Sequence, residues 1–395
     1  MISIIGMVLV AFSMILFMGY SIFIIANRRR SIRYDALPPE RLHRVSILKP
    51  VKNPAPGFAE NLESFFRLDY PDYEILFGVE SPTEPALAAI TRLMTKYPDI
   101  PVVIVLTGHQ KPANPKVDNL MKMERLATGE HYWVADADVH VERDTLKRLM
   151  HEYILHDSKL IFSPIRGAGA ETLGSLADNT HFSYFVSGNV IAGWQLFRQQ
   201  ITVGKSMFLE RRTLEEKFGG FAYFLDFLAE DYVMGETYVK AGLPVSTNCT
   251  WVTATNRRGT LTAFYSRMAR WSVLRFNLKK IYYFSEILFL NPLVMSLLLL
   301  VPFSPHGGWW MLGVFGTKLS LEFINFLILQ PADRVRSRTW LLFPLAVLLK
   351  DILIFAAYLT PLFTDKVNWR GRQIVVGKMT RIGAETAIPL QEQLN

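Results

Sequence analysis

Cysteine is almost absent from this chain, since Cys249 is the single cysteine among 395 residues. A lone cysteine cannot form a disulfide within the chain, and no Cys/His cluster has the spacing of a zinc site. Glycine-rich phosphate motifs are also missing, because neither GxGxxG nor a Walker sequence follows any predicted strand. These absences argue against a disulfide-stabilised domain, a zinc protein, a dinucleotide-binding Rossmann site and a P-loop enzyme.

Polar residues are scarcer than in a simple soluble enzyme. Half of the residues are hydrophobic, and the mean hydropathy is +0.18. The apolar residues concentrate in residues 1–26 and 281–363, and the region between them has ordinary globular composition. The net charge is +8, but no basic patch is interleaved with stacking aromatic residues, so we expect no nucleic-acid partner. Basic residues that lie beside a membrane of anionic lipid explain the positive net charge better.

The N-terminal segment predicts a membrane anchor. Residues 2–26 are apolar, uncharged and long enough to cross a bilayer, and Arg28, Arg29 and Arg30 follow them. A signal peptide carries its positive charge before the apolar run, so we expect residues 1–27 to be a retained transmembrane anchor. The positive-inside rule then places residues 28–260 in the cytosol. We expect a bacterial inner membrane rather than an ER or Golgi membrane.

The region from residue 44 to residue 163 alternates between strand-like and helix-like segments. The strand-like segments are residues 45–48, 73–79, 102–106, 131–135 and 160–162. The segments with helical apolar spacing are residues 58–67, 85–96, 117–128 and 144–155. This order predicts an α/β fold, with a mostly parallel sheet and helices on both of its faces.

Apolar segments return after this domain. Residues 261–280 place arginine and lysine beside aromatic and aliphatic side chains, which predicts an interfacial amphipathic helix. Residues 281–303 and 309–330 are predicted to cross the membrane. Lys318 and Glu322 lie within the second of these spans at helical spacing, and we interpret them as a structural ion pair.

The last apolar segment, residues 340–363, is harder to place. Lys350 and Asp351 lie in its middle, and the basic tail at residues 364–395 is expected in the cytosol. A cytosolic tail requires an even number of crossings after residue 280. We therefore interpret this segment as a re-entrant or interfacial helical pair, and a third crossing is the alternative.

Two carboxylates follow the strand at residues 131–135. Asp136 and Asp138 stand where an open α/β sheet binds its ligands, at the carboxyl end of a strand. Side chains at i and i+2 of an extended chain point to opposite faces, so the chain must bend if both serve one site. Carboxylate oxygens suit Mg²⁺ or Mn²⁺ bound to substrate phosphates. The pattern indicates a metal–nucleotide diphosphate site, and an ordinary Asp-rich turn is the alternative.

Further polar groups occur in a fixed order along the chain. They are Glu80 and Glu84, Asn114-Pro115-Lys116, Asp136-Ala137-Asp138, Glu230-Asp231, and Arg267-Met268-Ala269-Arg270-Trp271. This order resembles the inverting GT-A glycosyltransferases, and more closely the ceramide glucosyltransferase family (glycosyltransferase family 21), whose pattern is three spaced aspartates followed by (Q/R)xxRW. Other matching stretches are residues 46–52, 61–71, 114–120, 229–232, 266–271 and 369–371. The resemblance covers most of the chain, including the order of its membrane segments.

The resemblance implies roles for the acidic residues. Glu84 stands where the family usually has its first aspartate, so the carboxylate near the nucleotide lies one methylene further out, and Glu80 is a second candidate there. Asp136 matches the second aspartate. Asp138 completes an Asp-x-Asp motif that vertebrate relatives tend to have lost, and it is the main candidate metal ligand. Asp231 matches the third aspartate, the expected catalytic base.

The resemblance also implies roles for basic and aromatic residues. Arg270 and Trp271 match the terminal motif, with Arg270 expected at the pyrophosphate and Trp271 at the edge of the site. Lys116 is a further candidate for binding the nucleotide sugar. His181 matches a family histidine associated with the active site, and Arg267 is a second acceptor-site candidate. The alternative for His181 is a histidine satisfied by its own neighbours.

The resemblance predicts a membrane-bound enzyme that transfers glucose from UDP-glucose to the primary hydroxyl of ceramide, with inversion and with Mn²⁺ or Mg²⁺. The aromatic segment at residues 181–197 and the interfacial helix would form a slot for the lipid acceptor. One alternative is another lipid acceptor, such as a hopanoid, with a UDP-N-acetylhexosamine donor. A processive polysaccharide synthase would need more membrane spans than we expect, and a non-catalytic membrane scaffold would not need the retained aspartates.

Overall fold

The structure, a computed structural model, describes most of the chain. The described residues are 2–31, 38, 41–52, 56–108, 112–197, 202–247, 249–289, 291–330, 341–369 and 372–383. Arg370 and Gly371 of the matching stretch near the C-terminus lie outside the described residues, as does the end of the expected cytosolic tail.

The strands form one large sheet and two small ones. They are β1 (Val45–Val51), β2 (Tyr73–Val79), β3 (Val102–Leu106), β4 (His131–Ala135), β5 (Val139–His140), β6 (Leu160–Phe162), β7 (Ile165–Ala168), β8 (Ser206–Glu210), β9 (Val245–Thr247), β10 (Val252–Thr255), β11 (Lys366–Trp369) and β12 (Arg372–Val375). The large sheet has 7 strands in the order β3-β2-β1-β4-β8-β6-β9. Its pairs are parallel except for those that β8 makes with β4 and β6.

The central strands are buried on both faces, as their nearly continuous apolar sequences require. In β1, Ile47 packs into the core on one face of the sheet, and Leu48 packs into the core on the other face. The structure confirms the predicted strands, with β1 running on to Val51. It also confirms the predicted α/β fold with a mostly parallel sheet.

Helices cover both faces of the sheet and continue into the membrane segments. They are α1 (Ile2–Ser31), α2 (Phe58–Phe66), α3 (Leu87–Lys96), α4 (Pro115–Glu124), α5 (Thr145–His156), α6 (Leu173–Thr180), α7 (Ser187–Phe197), α8 (Arg211–Phe218), α9 (Glu230–Lys240), α10 (Leu261–Leu278), α11 (Lys280–Phe289), α12 (Pro292–Leu299), α13 (Gly307–Leu329) and α14 (Phe343–Leu359). A stretch of π-helix, His181–Val186, joins α6 to α7.

Three described segments are long and apolar enough to cross a membrane, judged by length and composition. They are Ser3–Arg30, Gly307–Leu329 and Phe343–Leu362. Residues 281–303, expected as one span, are covered in large part by two shorter helices, α11 and α12. Asn291 begins α12 by accepting a hydrogen bond from the Val294 amide at 3.2 Å.

A buried network of four charges joins α13 to α14. Lys318 lies 2.7 Å from Asp351, and Lys350 lies 3.1 Å from Glu322 and 2.7 Å from Asp351. Lys318 also pairs with Glu322, one helical turn further along α13. The charges in these apolar segments are therefore paired with one another, as burial away from water requires. This arrangement fits the structural interpretation of Lys318 and Glu322.

Candidate active site

A cavity of about 1350 Å³ lies where the carboxyl ends of β1 and β4 face the membrane helices. At one end its wall is polar and acidic, with Asp136, Asp138 and Asp231 among the lining residues. At the other end the wall is formed by α1, α7 and the π-helix that precedes α7. The apolar residues there are Phe12, Ile15, Leu16, Phe23, Phe185, Val186, Ala192 and Leu196.

The chain turns directly after β4, which brings the two aspartates to one site. The amide of Val139 donates to the carbonyl oxygen of Asp136 at 3.3 Å, and β5 then pairs with β10. Lys205 contacts both carboxylates: its Nζ lies 2.7 and 2.6 Å from the two Asp138 oxygens and 3.6 Å from Asp136 Oδ2. Both side chains line the cavity, with the bend that a shared site requires.

Lysines determine the protonation state of Asp136. Burial by itself raises the pKa of this carboxyl, but Lys116, Lys205 and Lys49 outweigh burial and lower it to about 2. Lys49 is fully buried in β1; its Nζ donates to the Asp136 carbonyl oxygen at 3.0 Å and lies 3.5 Å from the ring centroid of Phe65. Burial lowers the pKa of Lys49 to about 7. Because its own pKa is lowered to about 2, Asp136 remains a carboxylate at neutral pH.

Lys116 connects the Asp-x-Asp turn to the start of α9. Asn114 caps α4, since its side chain accepts from the amides of Lys116 at 2.9 Å and Val117 at 3.2 Å, and this places Lys116 in the first turn. The Lys116 Nζ lies 3.1 Å from Asp136 Oδ1 and 3.0 Å from Glu230 Oε1. It also donates to the carbonyl oxygen of residue 204 at 3.1 Å. This lysine holds two acidic groups in place between the sheet and α9.

Asp231 lies in the first turn of α9 and faces the same cavity. Its Oδ2 accepts from the Gly204 amide at 2.6 Å, and its Oδ1 accepts from the Tyr232 amide at 2.8 Å. Burial and the neighbouring Glu230 raise the pKa of Asp231 to about 6, although Lys116 acts in the opposite direction. A carboxylate whose pKa lies closer to neutrality is a stronger base and is suited to accepting a proton.

Position 204 favours glycine because the side chains of Asp231 and Lys116 lie close to its backbone. A Cβ at position 204 would lie 2.9 Å from Asp231 Oδ2 and 3.1 Å from Lys116 Nζ. Any side chain there would displace the carboxylate or the ammonium group, because such contacts are shorter than van der Waals distance.

Helix α10 brings the residues of the (Q/R)xxRW match to the cavity. Arg267 donates to Asp178 Oδ2 at 2.8 Å, and Asn256 donates to the same oxygen at 2.7 Å. Arg270 and Trp271 line the cavity, as do Arg267 and Asp178. Asp178 is fully buried, and its other oxygen has no hydrogen-bond partner among the described residues. The buried carboxylate can therefore accept a hydrogen bond from a ligand.

His181 lines the wall between the acidic and apolar ends of the cavity. It is 1% exposed, and neither ring nitrogen has a hydrogen-bond partner among the described residues. Its ring stacks on Phe185 with centroids 5.0 Å apart, and Trp271 lies 6.4 Å away. Burial lowers the pKa of His181, so the ring is a neutral donor and acceptor. Its described neighbours give neither ring nitrogen a hydrogen bond. This differs from the alternative given in Sequence analysis, a histidine satisfied by its own neighbours.

The two glutamate candidates, unlike the three aspartates, do not line the cavity. Glu80 and Glu84 follow β2, and neither is among the residues that line the cavity. Glu80 pairs with Lys52, which does line it. Their assignment to the nucleotide site stays a prediction.

Sequence reasoning did not single out the polar side chains Lys49, Asp178, Lys205 and Asn256. Lys49 carried a usable signal, because it directly follows the predicted strand at residues 45–48, at the end of a strand where an open α/β sheet binds its ligands. The other three lie in segments without a regular pattern, and their sequence neighbours do not indicate what they face.

The side chains of this site fit a divalent metal whose remaining ligands are phosphate oxygens of a substrate. No group of three or more His, Cys, Asp or Glu side chains converges on a metal position within the described part of the chain. Asp136 and Asp138 supply carboxylate oxygens beside a cavity, which is the donor set that Mg²⁺ or Mn²⁺ uses together with phosphate oxygens.

The chain matches one known protein family over most of its length. The family model described as "Glycosyl transferase family 21" matches residues 8–382. Ceramide glucosyltransferase 1 and ceramide glucosyltransferase 3 of Caenorhabditis elegans are 24% identical over 250 residues and 26% identical over 283 residues. These matches cover 62% and 70% of this chain. They span 52% and 59% of the two relatives, so the chain matches little more than half of their length.

Solved structures are also similar. The mannosyltransferase PcManGT from Pyrobaculum calidifontis, solved in complex with GDP-Man and Mn²⁺, has a TM-score of 0.47 and 18% sequence identity. The match covers 90% of this chain and 99% of that protein.

Proposed function

This chain belongs to glycosyltransferase family 21, as its sequence resemblance predicted, and from this premise we propose that it transfers a hexose from a UDP-sugar to a hydroxyl group of a membrane lipid. More narrowly, we propose UDP-glucose as donor, ceramide as acceptor and inversion at the anomeric carbon. The observation that carries the proposal is that one cavity is lined both by acidic residues at one end and by apolar residues of α1 and α7 at the other.

The donor is proposed to bind at the acidic end. Asp136 and Asp138 would hold a divalent cation, Mn²⁺ or Mg²⁺, which when bound neutralises the charge of the departing diphosphate. Arg270 is proposed to contact the diphosphate, because a guanidinium forms two parallel hydrogen bonds with such oxygens. Lys116 keeps Asp136 ionised and in place through its 3.1 Å contact.

Asp231 is proposed as the general base. An acceptor hydroxyl has a pKa far above 7, so its proton must pass to a positioned group as the oxygen attacks. The oxygen forms its bond to the anomeric carbon while the bond to the UDP leaving group breaks, and the proton goes to the Asp231 carboxylate. Direct displacement of this kind inverts the anomeric carbon.

The acceptor is proposed to enter from the apolar end. Acyl chains would lie against α1 and α7, as burial of apolar surface favours. The unsatisfied atoms of Asp178 and His181 would bind the polar headgroup, since a buried polar atom gains most from a partner. Arg267 positions Asp178 through their 2.8 Å hydrogen bond.

The test uses purified full-length protein in detergent with a panel of UDP-sugars, with Mn²⁺ or Mg²⁺. Ceramide, diacylglycerol and a hopanoid polyol are offered separately as acceptors, and Asp231→Asn is assayed beside the wild type. Transfer to ceramide by the wild type alone supports the full proposal, and a β-linked product supports inversion. Transfer to another lipid or from an N-acetylhexosamine donor keeps the mechanism and replaces the substrate. No transfer from any donor to any acceptor favours a scaffold, and full activity in Asp231→Asn removes the proposed base.

A further inference from the structure

The segment that leads into α9 is held by groups far away in the sequence. We call residues 226–229 the base loop, because α9 begins directly after them and Asp231 is the second residue of that helix. On one side, Asn114 Nδ2 donates to the carbonyl oxygen of Phe227 at 2.7 Å. On the other side lie residues 376–382, which follow the last membrane segment and the β11–β12 hairpin. We call this second segment the tail clasp.

The tail clasp bonds the base loop through its backbone and one hydroxyl group. The amide of Leu228 donates to the Thr380 carbonyl oxygen at 3.0 Å, and the amide of Ala229 donates to Thr380 Oγ1 at 3.1 Å. In return, the amide of Ile382 donates to the Asp226 carbonyl oxygen at 2.9 Å. One residue, Thr380, thus satisfies two consecutive amides just before the proposed base.

The backbone of the tail clasp is held in an uncommon conformation. Met379 and Thr380 have φ angles of 55° and 59°, in the left-handed region that non-glycine residues rarely adopt. For a β-branched residue such as Thr380 this conformation is a genuine outlier. Such a conformation persists only where the surroundings determine it, and here Thr380 in this conformation accepts two hydrogen bonds from base-loop amides. Thr380 is also fully buried, so its hydroxyl has no access to bulk water.

Apolar packing joins the same elements. Leu228 and Ala229 of the base loop pack in one cluster with Val367, Ile374 and Val376 of the hairpin and tail clasp. The base loop is therefore bounded on one side by the C-terminal segment of the chain. Its position depends on residues about 150 places further along the sequence.

We propose that Thr380 is a positioning residue for the transfer reaction. It holds the base loop so that the Asp231 carboxylate keeps its contact with the Gly204 amide and faces the acceptor hydroxyl. This inference rests on the proposed function, in which Asp231 is the base. The Asp-x-Asp turn does not contact Thr380 in any hydrogen bond that the structure describes, so binding of the nucleotide sugar is expected to be independent of it.

The test compares Thr380→Ala with Thr380→Ser in full-length protein in detergent. Both variants lack the γ-methyl group, so they differ only in the hydroxyl that accepts from Ala229. We measure kcat, the KM for the UDP-sugar, and deuterium uptake by peptides that cover residues 226–233. The alanine variant is expected to lose about ten- to a hundredfold in kcat with an unchanged KM, because a small displacement of a reacting group costs this much. It is also expected to take up deuterium faster, while the serine variant behaves as the wild type.

Equal kcat values in the alanine and serine variants overturn the proposal, as does equal uptake over residues 226–233. A parallel loss of kcat and of UDP-sugar affinity in the alanine variant also overturns it, because that indicates a general structural effect. If Thr380→Ala does not fold, Thr380→Gly replaces it, since glycine lacks the hydroxyl and adopts the left-handed conformation without strain. If the wild type transfers no sugar, the proposed function fails, and the uptake comparison alone still decides whether Thr380 holds the base loop.

Discussion

Among single residues, the position and protonation of Asp231 matter most for the proposed chemistry. Burial and Glu230 raise the pKa of its carboxyl, and two backbone amides fix its orientation. Lys116 is bonded to Asp136, Glu230 and the backbone of residue 204, so the donor side and the base side of the cavity share one cation. A change at Lys116 is therefore expected to affect both the donor side and the base side.

The first prediction concerns pH. A general base works in its ionised form, and the pKa of Asp231 is raised to about 6. We expect kcat/KM to be level above this pH and to fall about tenfold for each pH unit below it, as the carboxylate becomes protonated. The measurement is a pH profile of transfer by the wild type and by Asp231→Asn.

The residual activity of Asp231→Asn is expected to be at least about a hundredfold lower and to show no step near this pH, because asparagine does not titrate. A step of the same size in the variant would assign the titration to another group.

The second prediction concerns Gly204. A Cβ there would lie 2.9 Å from Asp231 Oδ2, so Gly204→Ala is expected to displace the carboxylate and to lower kcat by about tenfold or more. Gly313→Ala is the matched control, because a Cβ at position 313 meets nothing within 4 Å. Steady-state kinetics on both variants check the prediction, and equal kcat values would contradict it.

Among the elements, α1 and α7 enclose the apolar end of the cavity. Tyr20 of α1 donates to Asn189 of α7 at 2.5 Å, and Tyr184 of the π-helix stacks on Phe17 with centroids 4.3 Å apart. The membrane anchor is thus part of the wall of the proposed acceptor site, as well as a candidate span. This arrangement implies that changes in α1 affect the lipid acceptor and leave the donor site intact.

The third prediction tests this division. Gly19 lies in the cavity wall, and a Cβ at this position meets nothing within 4 Å. Gly19→Phe is expected to fill part of the apolar end and to raise the KM for the lipid, because the ring would occupy open cavity space that is proposed for the acyl chains. The affinity for the UDP-sugar is expected to stay unchanged, as measured by direct binding.

Gly313→Phe serves as control, since position 313 is exposed on another membrane helix. A loss of lipid affinity that is the same in both variants would mean that the effect is not local to the cavity.

At the scale of the whole molecule, helix contacts support a membrane arrangement that we propose here. Met295 of α12 packs with Val10 in the N-terminal half of α1, whereas Leu329 at the end of α13 packs with Ile24. Helix α13 therefore runs parallel to α1, toward the α/β domain, where Gln330 donates to the Gly167 carbonyl oxygen at 2.8 Å. The helices α11 and α12 together then form the crossing that precedes α13.

Helix α14 contacts the α/β domain near both of its ends. Phe343 packs with Leu176 of α6, and Tyr358 lies in one cluster with Ala177 of the same helix. We propose that α14 lies along the cytosolic boundary of the membrane, although its length and composition would allow a crossing. The base loop and the tail clasp then lie on one side of the membrane, as their hydrogen bonds require.

The fourth prediction follows from this arrangement. In a Cys249→Ser background, His306→Cys in the connection before α13 and Asp365→Cys after α14 each supply one exposed thiol. An impermeant maleimide added to intact cells is expected to label the first variant only, and to label the second after permeabilisation. Labelling of both from outside would contradict the proposed position of α14.

Local patterns in the sequence by themselves determined the secondary structure and the fold class of this protein. The strands that surround the Asp-x-Asp motif, the helices between them and the apolar segments follow from apolar spacing within single elements, and the fold class follows from their order. Asp136 and Asp138 could be selected in advance because an apolar strand that runs into two carboxylates is a local signal, and Asp231 because it matches the third aspartate of the family pattern. The residues that match the family pattern at Arg270 and Trp271 also meet at the cavity.

Only the tertiary structure decided which side chains complete the site. Lys205 bonds to Asp138, Asp178 bonds to Arg267, and Thr380 bonds to the base loop across long separations in sequence. Periodicity reports only which face of its own helix or strand a residue occupies, and it contains no information about the partner on that face. The partner depends on how separate elements pack, because burial rewards any arrangement that satisfies polar groups and fills space. For that reason the proposed base was visible in the sequence, and the residues that hold it were not.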